Sequence, residues 1–301
     1  MPLHGWLILD KPLGLGSTQG VSAAKRALRT AGHPKARVGH GGTLDPLATG
    51  VLPIAIGEAT KLAGRMLDSD KVYDFTIRFG VQTSTLDAEG EAVAESDARP
   101  SLADIEAILP RFTGPIEQVP PAYSALKVDG KRAYALARAG EDVVLATRAV
   151  TIHSLAIVPV GGGGRLEEIT LSASVSKGTY IRSLARDIAL ALGTVGHVTM
   201  LRRTKAGPFT LAHAISLDKL DEAAKGASLQ ELLLPLTAGL DDIPVLAVSP
   251  DQAIALRQGR RLVGIAAPPG LHLAIDGTTP VALVEMEQDV KVVRGFNLMS
   301  E

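Results

Sequence analysis

The chain alternates short apolar runs with longer amphipathic ones. "GWLILD", residues 5–10, is an almost unbroken apolar run and predicts a buried strand. "STQGVSAAKRALRTAG" predicts a helix, with Ser17 or Thr18 as N-cap and Gly32 as stop. "VLPIAIG" reads as a strand and "EATKLAGRML" as a helix, while "KVYDFTIRFG" alternates as a half-buried strand does. "SLADIEAILPRF" predicts a helix with a Ser cap and acids in its first turns. Prolines keep "PPAYSALK" extended, and "KRAYALARAG" predicts a short helix ending at Gly140. "AVTIHSLAIVPV" and "LEEITLSASVS" predict a strand pair joined by the flexible glycines 161–164. "TYIRSLARDIALALG" is the clearest amphipathic helix, and "HVTMLRRTKAG" follows as a strand.

Strands and helices mix here without regular βαβ alternation, so the expected class is α+β, not a doubly wound parallel sheet. After about residue 240 a short helix, "DQAIALRQG", and a Pro/Gly stretch, "AAPPG", precede the short strands "HLAID", "PVALVEME" and "VKVVRGF". Two units are therefore expected, 1–240 and a small β-rich unit at 241–301.

Composition narrows the chemistry. The 301 residues are 46% hydrophobic but only 3% aromatic, so Leu, Val, Ile and Ala must build the core. The absence of cysteine removes disulfides, thiolate metal sites and thiol nucleophiles, and fits a cytoplasmic location. No apolar run is long enough to span a bilayer, and the N-terminus does not read as a signal peptide. Net charge is −1 but unevenly spread. Residues 1–65 carry eight bases against three acids, and residues 177–207 six against one. Residues 81–118 reverse this, with eight acids and two bases. A basic face suited to a polyanion is one reading; local surface variation is the other.

Familiar cofactor motifs fail on spacing. "GLGSTQG", residues 14–20, is one residue off the dinucleotide-binding turn, and no acid ends a second strand about 20 residues on. There is no Walker lysine, no H-x-x-x-H pair and no G-x-S-x-G elbow, so no cofactor and no metal are expected. What stands out is "VGHGGTLDPLATG", residues 38–50, with the single acid Asp45. The plain reading is an Asp-Pro turn whose carboxylate caps backbone N–H groups. Three features pull against it. Gly39, Gly41 and Gly42 permit close approach of a ligand. Leu44, Pro46 and Leu47 would partly dry the carboxylate. A dried carboxylate needs a cation, and "SKGTYIRSLARD" offers candidates.

"GHGGTLDPLATGVLPIAIGEATKL" resembles the signature segment of the bacterial tRNA pseudouridine synthase B (TruB) family. "GWLILDKPLGLGST", "DSDKVYDFTIRFG", "PPAYSALKVDGKRAYALARAG" and "VSKGTYIRSLARDIALALG…HVTMLRRTKAGPF" resemble further family blocks, in the family's order. The resemblance covers residues 5 to about 215. It implies a catalytic domain with a mixed, mainly antiparallel sheet flanked by helices. It also implies a small PUA-like RNA-binding domain at the C-terminus, and an insertion at about 120–148 that closes over the RNA.

The implied activity is conversion of the T-loop uridine of tRNA, position 55, to pseudouridine. The N-glycosidic bond breaks, uracil turns, and C5 bonds to the ribose. Asp45 takes the place of the catalytic aspartate; attack at C1′, attack at C6 and removal of a 2′ proton all stay open. Tyr73 takes the place of the tyrosine that stacks on uracil, and Arg182 that of the aspartate's arginine partner. Lys11, His40, Tyr180 and Leu201 fall at substrate-binding positions, and Arg202 and Arg203 are expected to meet phosphates. The base must be extruded to reach Asp45. Tyr123, Lys127, Lys131, Arg132, Tyr134 and Arg138 suit the insertion to RNA. The implied partner is the tRNA T-stem loop, bound by a monomer with no membrane association. Two other classes compete. A non-catalytic RNA-binding or RNA-folding protein would have no need of Asp45, Tyr73 and Arg182 together. A nucleosidase would show a second carboxylate near Asp45, and none is evident in the sequence around it.

Overall fold

The computed structural model describes residues 3–298 apart from 125, 129, 142–144, 160–163 and 227. Nine strands of the described residues form one sheet. Seven lie in the order Gly5–Lys11, Ala48–Ile56, Gly196–Ala206, Lys71–Phe79, Glu168–Val175, Arg148–Ile157 and Gly114–Gln118. Val38–His40 pairs with Ala48–Ile56, and Phe209–Thr210 with Gly196–Ala206. The pairing of Ala48–Ile56 with Gly196–Ala206 is parallel and the other pairings are antiparallel, so the sheet is mixed and mainly antiparallel, as the resemblance implies.

Both faces of the first strand are covered, which explains its apolar run. Leu7 and Leu9 pack with Ala24 and Leu28 of helix Ser17–Thr30 and Leu220 of helix Leu217–Lys225. Trp6 and Ile8 pack on the other side with Phe209, Leu236 and, from the C-terminal part, Leu273, Leu283 and Phe296. Helix Ile181–Ala191 lays Leu184 and Ile188 on Phe75, Ile77 and Leu171. Trp6 donates its indole N–H to the Leu236 carbonyl at 3.2 Å, satisfying the one polar atom of the largest core side chain.

The C-terminal strands Val245–Ala247, Gly270–Asp276, Thr279–Met286 and Val290–Gly295 form a separate four-stranded sheet. Helix Pro250–Arg257 packs on it through Ala253 and Leu256. Local differences from the sequence reading have simple causes. Gly16, not Ser17 or Thr18, caps the first helix, because Ser17 is used elsewhere. "EATKLAGRML" divides into a 3-10 turn, Gly57–Leu62, and a helix, Ala63–Asp68. Glycines 161–163 lie outside the described residues. Among the described residues, no helix is long and apolar enough to cross a membrane.

Candidate active site

Asp45 sits in the loop between Val38–His40 and Ala48–Ile56. The loop is fastened from below. Ser17 donates its hydroxyl to the Leu44 carbonyl at 2.9 Å and accepts from Leu44 N–H at 2.8 Å. Gly14 N–H donates to the Pro46 carbonyl at 2.9 Å, and Asp45's own carbonyl accepts from Ala48 N–H at 3.0 Å. Leu44 is buried in the core beside Leu9 and Leu52. The side chain before Asp45 is thus pulled inward while Asp45 turns outward.

Two of the three loop glycines face protein atoms, while a Cβ on Gly39 would meet nothing within 4 Å. A Cβ on Gly41 would stand 2.5 Å from the Met66 Cβ. Gly42, at φ 142°, faces the Arg203 guanidinium 3.3 Å from where its Cβ would be.

Arg182 grips the carboxylate. Its Nη2 lies 2.8 Å from Asp45 Oδ2. The Asp45 side chain is 42% exposed and that of Arg182 only 7%. The guanidinium is also fixed from three other directions. Nη1 lies 3.1 Å from Asp87 Oδ2 and donates to the Thr85 carbonyl at 2.8 Å, while Nη2 donates to the Tyr123 carbonyl at 3.0 Å. One arginine therefore ties the Asp45 loop, the segment at Thr85 and Asp87, and Tyr123 together.

Asp87 is the residue the sequence reading missed. A second carboxylate does stand near Asp45, across Arg182, contrary to the expectation of none. Its buried oxygens are occupied: Oδ1 accepts from the Thr85 hydroxyl at 2.5 Å and from Glu89 N–H at 3.1 Å, and Oδ2 faces Arg182. It is thus equipped to hold Arg182, whereas Asp45 Oδ1 carries no hydrogen bond among the described residues.

A cavity of about 350 Å³ opens at Asp45, within the size range of small-molecule sites. Tyr73, Tyr180, Leu201 and Arg182 line it. Tyr73 is delivered by the sheet, opposite Arg203 of Gly196–Ala206 and Ala173 of Glu168–Val175. Tyr180 precedes helix Ile181–Ala191 and is held by its N–H on Gln118 Oε1 at 2.8 Å; burial pushes its phenol above the ordinary value.

Two residues expected at the substrate lie inside the protein. Lys11 is 0% exposed. Its ammonium donates to the carbonyls of Pro12, Leu15 and Pro46 at 3.1, 2.6 and 3.2 Å. All three of its N–H groups are spent on the backbone that carries the Asp45 loop. Burial lowers its pKa to about 8, with the nearby Asp45 charge opposing. Arg203, expected on a phosphate, is 1% exposed and lies under the loop, bonded to the carbonyls of Val51, Thr43 and Gly42 at 2.7, 3.3 and 3.2 Å. Arg202 differs: it is partly exposed and holds Asp10 with two bonds, 3.1 and 2.9 Å. His40 stands at the end of its strand, outside the 350 Å³ cavity. Burial and the Arg203 charge hold its imidazole below the ordinary value, and its Nδ1 is buried with no partner among the described residues.

The two basic segments are therefore less of a surface than their charge count suggests. Lys11, Arg182 and Arg203 point inward, and Lys61, Arg65 and Lys177 are paired with Glu58, Asp242 and Asp68. Lys25, Arg26, Arg29, Lys35 and Arg37 remain exposed. The segment 120–148 contains a two-stranded hairpin, Lys127–Val128 with Lys131–Arg132, and a short helix, Ala133–Arg138. Residues 125, 129 and 142–144 of it, and the side chains of Lys127, Arg132 and Arg138, lie outside the described set.

Comparison with known proteins places this geometry. Residues 25–181 match the family described as TruB family pseudouridylate synthase (N terminal domain). Residues 182–241 match the tRNA pseudouridylate synthase B C-terminal domain. A chain in the crystal structure of a Cbf5-Nop10-Gar1 complex has the same fold, with a TM-score of 0.73 at 24% identity over 97% of this chain and 84% of that one. A chain in an archaeal box H/ACA sRNP Nop10-Cbf5 complex gives 0.69 at 23%, over 97% and 85%. The class is thereby defined: an enzyme, a pseudouridine synthase. A Novosphingobium aromaticivorans protein named tRNA pseudouridine synthase B is 65% identical over 298 residues, 98% of each chain. One of the same name from Zymomonas mobilis is 60% identical, over 98% of this chain and 96% of that one. The chain belongs to the TruB family.

Proposed function

We propose that the protein isomerises the T-loop uridine at position 55 of tRNA to pseudouridine, with Asp45 as the nucleophile. The observation that carries this reading is the carboxylate held by one oxygen on Arg182 at the mouth of a nucleoside-sized, tyrosine-lined cavity. Relatives named for tRNA support the substrate.

The geometry suits the chemistry. The N1–C1′ bond breaks and a C5–C1′ bond forms; C5 gives up its proton and N1 gains one, so atoms and electrons balance. Arg182 fixes Oδ2 and orients the carboxylate, which leaves Oδ1 for the substrate. Extruding the target nucleotide into the cavity excludes water from around Asp45, and a desolvated carboxylate is the stronger nucleophile. Tyr73 stacks on the uracil and assists loss of the C5 proton, with Tyr180 and Leu201 against the base. Arg202 and the exposed cations of 25–37 meet the RNA backbone. The catalytic unit is assigned to 1–240, with insertion 120–148 closing over the T-stem loop, and a PUA-like RNA-binding unit to 241–301; the enzyme acts as a monomer. The test is incubation with an unmodified tRNA transcript followed by mapping of pseudouridine. Modification confined to position 55 supports the reading, and none, or modification elsewhere, overturns it.

A further inference from the structure

We infer that the Ser124 hydroxyl binds the ribose 2′-hydroxyl of the reacting nucleotide, which makes Ser124 a determinant of RNA over DNA; this rests on the role proposed for Asp45. Ser124 is 4% exposed, and its Oγ is buried without a hydrogen-bond partner among the described residues. A buried hydroxyl in that state has lost its bonds to water and gained none, so it is an unusual feature unless a ligand completes it. The Tyr180 hydroxyl stands beside it, near enough to temper the upward shift that burial gives that phenol, yet outside hydrogen-bond geometry.

The backbone holds Ser124 in place on three sides. Its N–H donates to the Ala122 carbonyl and its carbonyl accepts from Tyr134 N–H, both at 3.0 Å. The carbonyl just before it, that of Tyr123, is the one that Arg182 binds. The arginine that orients Asp45 thus also sets the position of Ser124.

Location supplies the ligand. A second cavity, of about 810 Å³, lies on the other side of the Asp45–Arg182 pair, toward Glu89, Glu91 and Tyr134. Asp45, Arg182 and Ser124 are the residues that line both cavities, so they form the partition between them. For Asp45 to act as the nucleophile at C1′, the sugar must reach it while the base occupies the tyrosine-lined side. The sugar then straddles the partition and carries its 2′-hydroxyl, one carbon from C1′, to the partition's polar groups. The guanidinium of Arg182 is already engaged with Asp45, Asp87 and two carbonyls, which leaves the Ser124 hydroxyl uncommitted. A hydroxyl both donates and accepts, so it can satisfy another hydroxyl in either direction. The 2′-hydroxyl is also the group by which a protein tells RNA from DNA.

The experiment is a cycle of dissociation constants in an Asp45→Asn background, where turnover does not intervene. The probe is a T-stem-loop RNA with uridine or 2′-deoxyuridine at the target position, bound to protein with Ser124 or Ser124→Ala. With Ser124 in place the deoxy substitution is expected to weaken binding about fivefold, the worth of one ordinary hydrogen bond. With Ser124→Ala the uridine RNA is expected to bind about fivefold more weakly and the deoxy penalty to vanish. Ser124→Cys, close in size but a weak donor, is expected to give the same pattern. An equal deoxy penalty with and without the hydroxyl overturns the inference, whether or not Ser124→Ala weakens binding overall. Failure of the unsubstituted protein to form pseudouridine is a different result, and sinks the proposed function instead.

Discussion

Arg182 holds Asp45 by one oxygen only: Nη2 lies 2.8 Å from Oδ2, and Oδ1 carries no hydrogen bond among the described residues. The other arm of the same guanidinium lies 3.1 Å from Asp87, so one cation serves two carboxylates. Asp87 is the more buried and is fixed by Thr85 and Glu89. It anchors Arg182, and Arg182 in turn presents Asp45.

This arrangement separates the effects of substitution. Arg182→Met leaves both acids without their cation. Breaking a fully buried pair costs on the order of 3–5 kcal/mol; with Asp45 partly exposed, the lower end is expected in urea unfolding. Single turnover on tRNA is expected to fall at least about a hundredfold, the scale of losing one preorganised charged contact. Arg182→Lys restores only part, because an ammonium lacks the fork that reaches two carboxylates. Asp87→Asn keeps the shape but not the charge, and is expected to lower turnover about tenfold, or about 1.4 kcal/mol, with RNA affinity unchanged. Lost affinity with unchanged turnover would show that Asp87 contacts RNA instead.

Much of the fold was legible because its elements are locally consistent. The strand at 5–11, the alternating strand at 71–79 and the helix at 181–191 each carry a period that burial then explains. Asp45 was legible as a lone acid among Gly, Leu and Pro. Asp87 was not. It lies in an acid-rich stretch that reads as surface, and its partner Arg182 is 95 positions further on. The burial of Lys11 and Arg203 was not legible for a related reason. A charge in a sequence suggests solvent or phosphate, and only the assembled loop shows a shell of carbonyls able to hold it inside.

Arg202 and Arg203 are adjacent in sequence, but Arg202 is partly exposed and Arg203 is buried. Arg202→Ala is expected to weaken binding of many tRNAs alike and to reduce the slope of log K against log salt by about one, the release of one counterion. Arg203→Ala is expected to lower stability by on the order of 3 kcal/mol, since buried charge-assisted bonds to three carbonyls are lost. Salt titrations and urea melts of the two variants check this; equal salt slopes, or two equally stable proteins, would contradict it.

Lys11 links stability to pH. Burial lowers its ammonium from 10.5 to about 8. Between those values the unfolded chain keeps a proton that the folded chain has released. This group therefore makes the fold gain stability as pH rises, by up to about 1.4 kcal/mol per unit. Lys11→Met removes that linkage. The stability of wild type minus that of the variant is expected to rise from about pH 8 to about pH 10.5. A value that stays constant or falls over that range would show that burial does not lower the Lys11 pKa.

The most direct test of the central claim is pseudouridine formation at position 55 of an unmodified tRNA transcript, measured under single-turnover conditions with wild type and Asp45→Asn. Wild type is expected to convert the site to completion. Asp45→Asn is expected to form none while binding the same tRNA within about tenfold, about 1.4 kcal/mol. Clear turnover by Asp45→Asn, once reversion of the amide to aspartate has been excluded by mass spectrometry, would contradict the account.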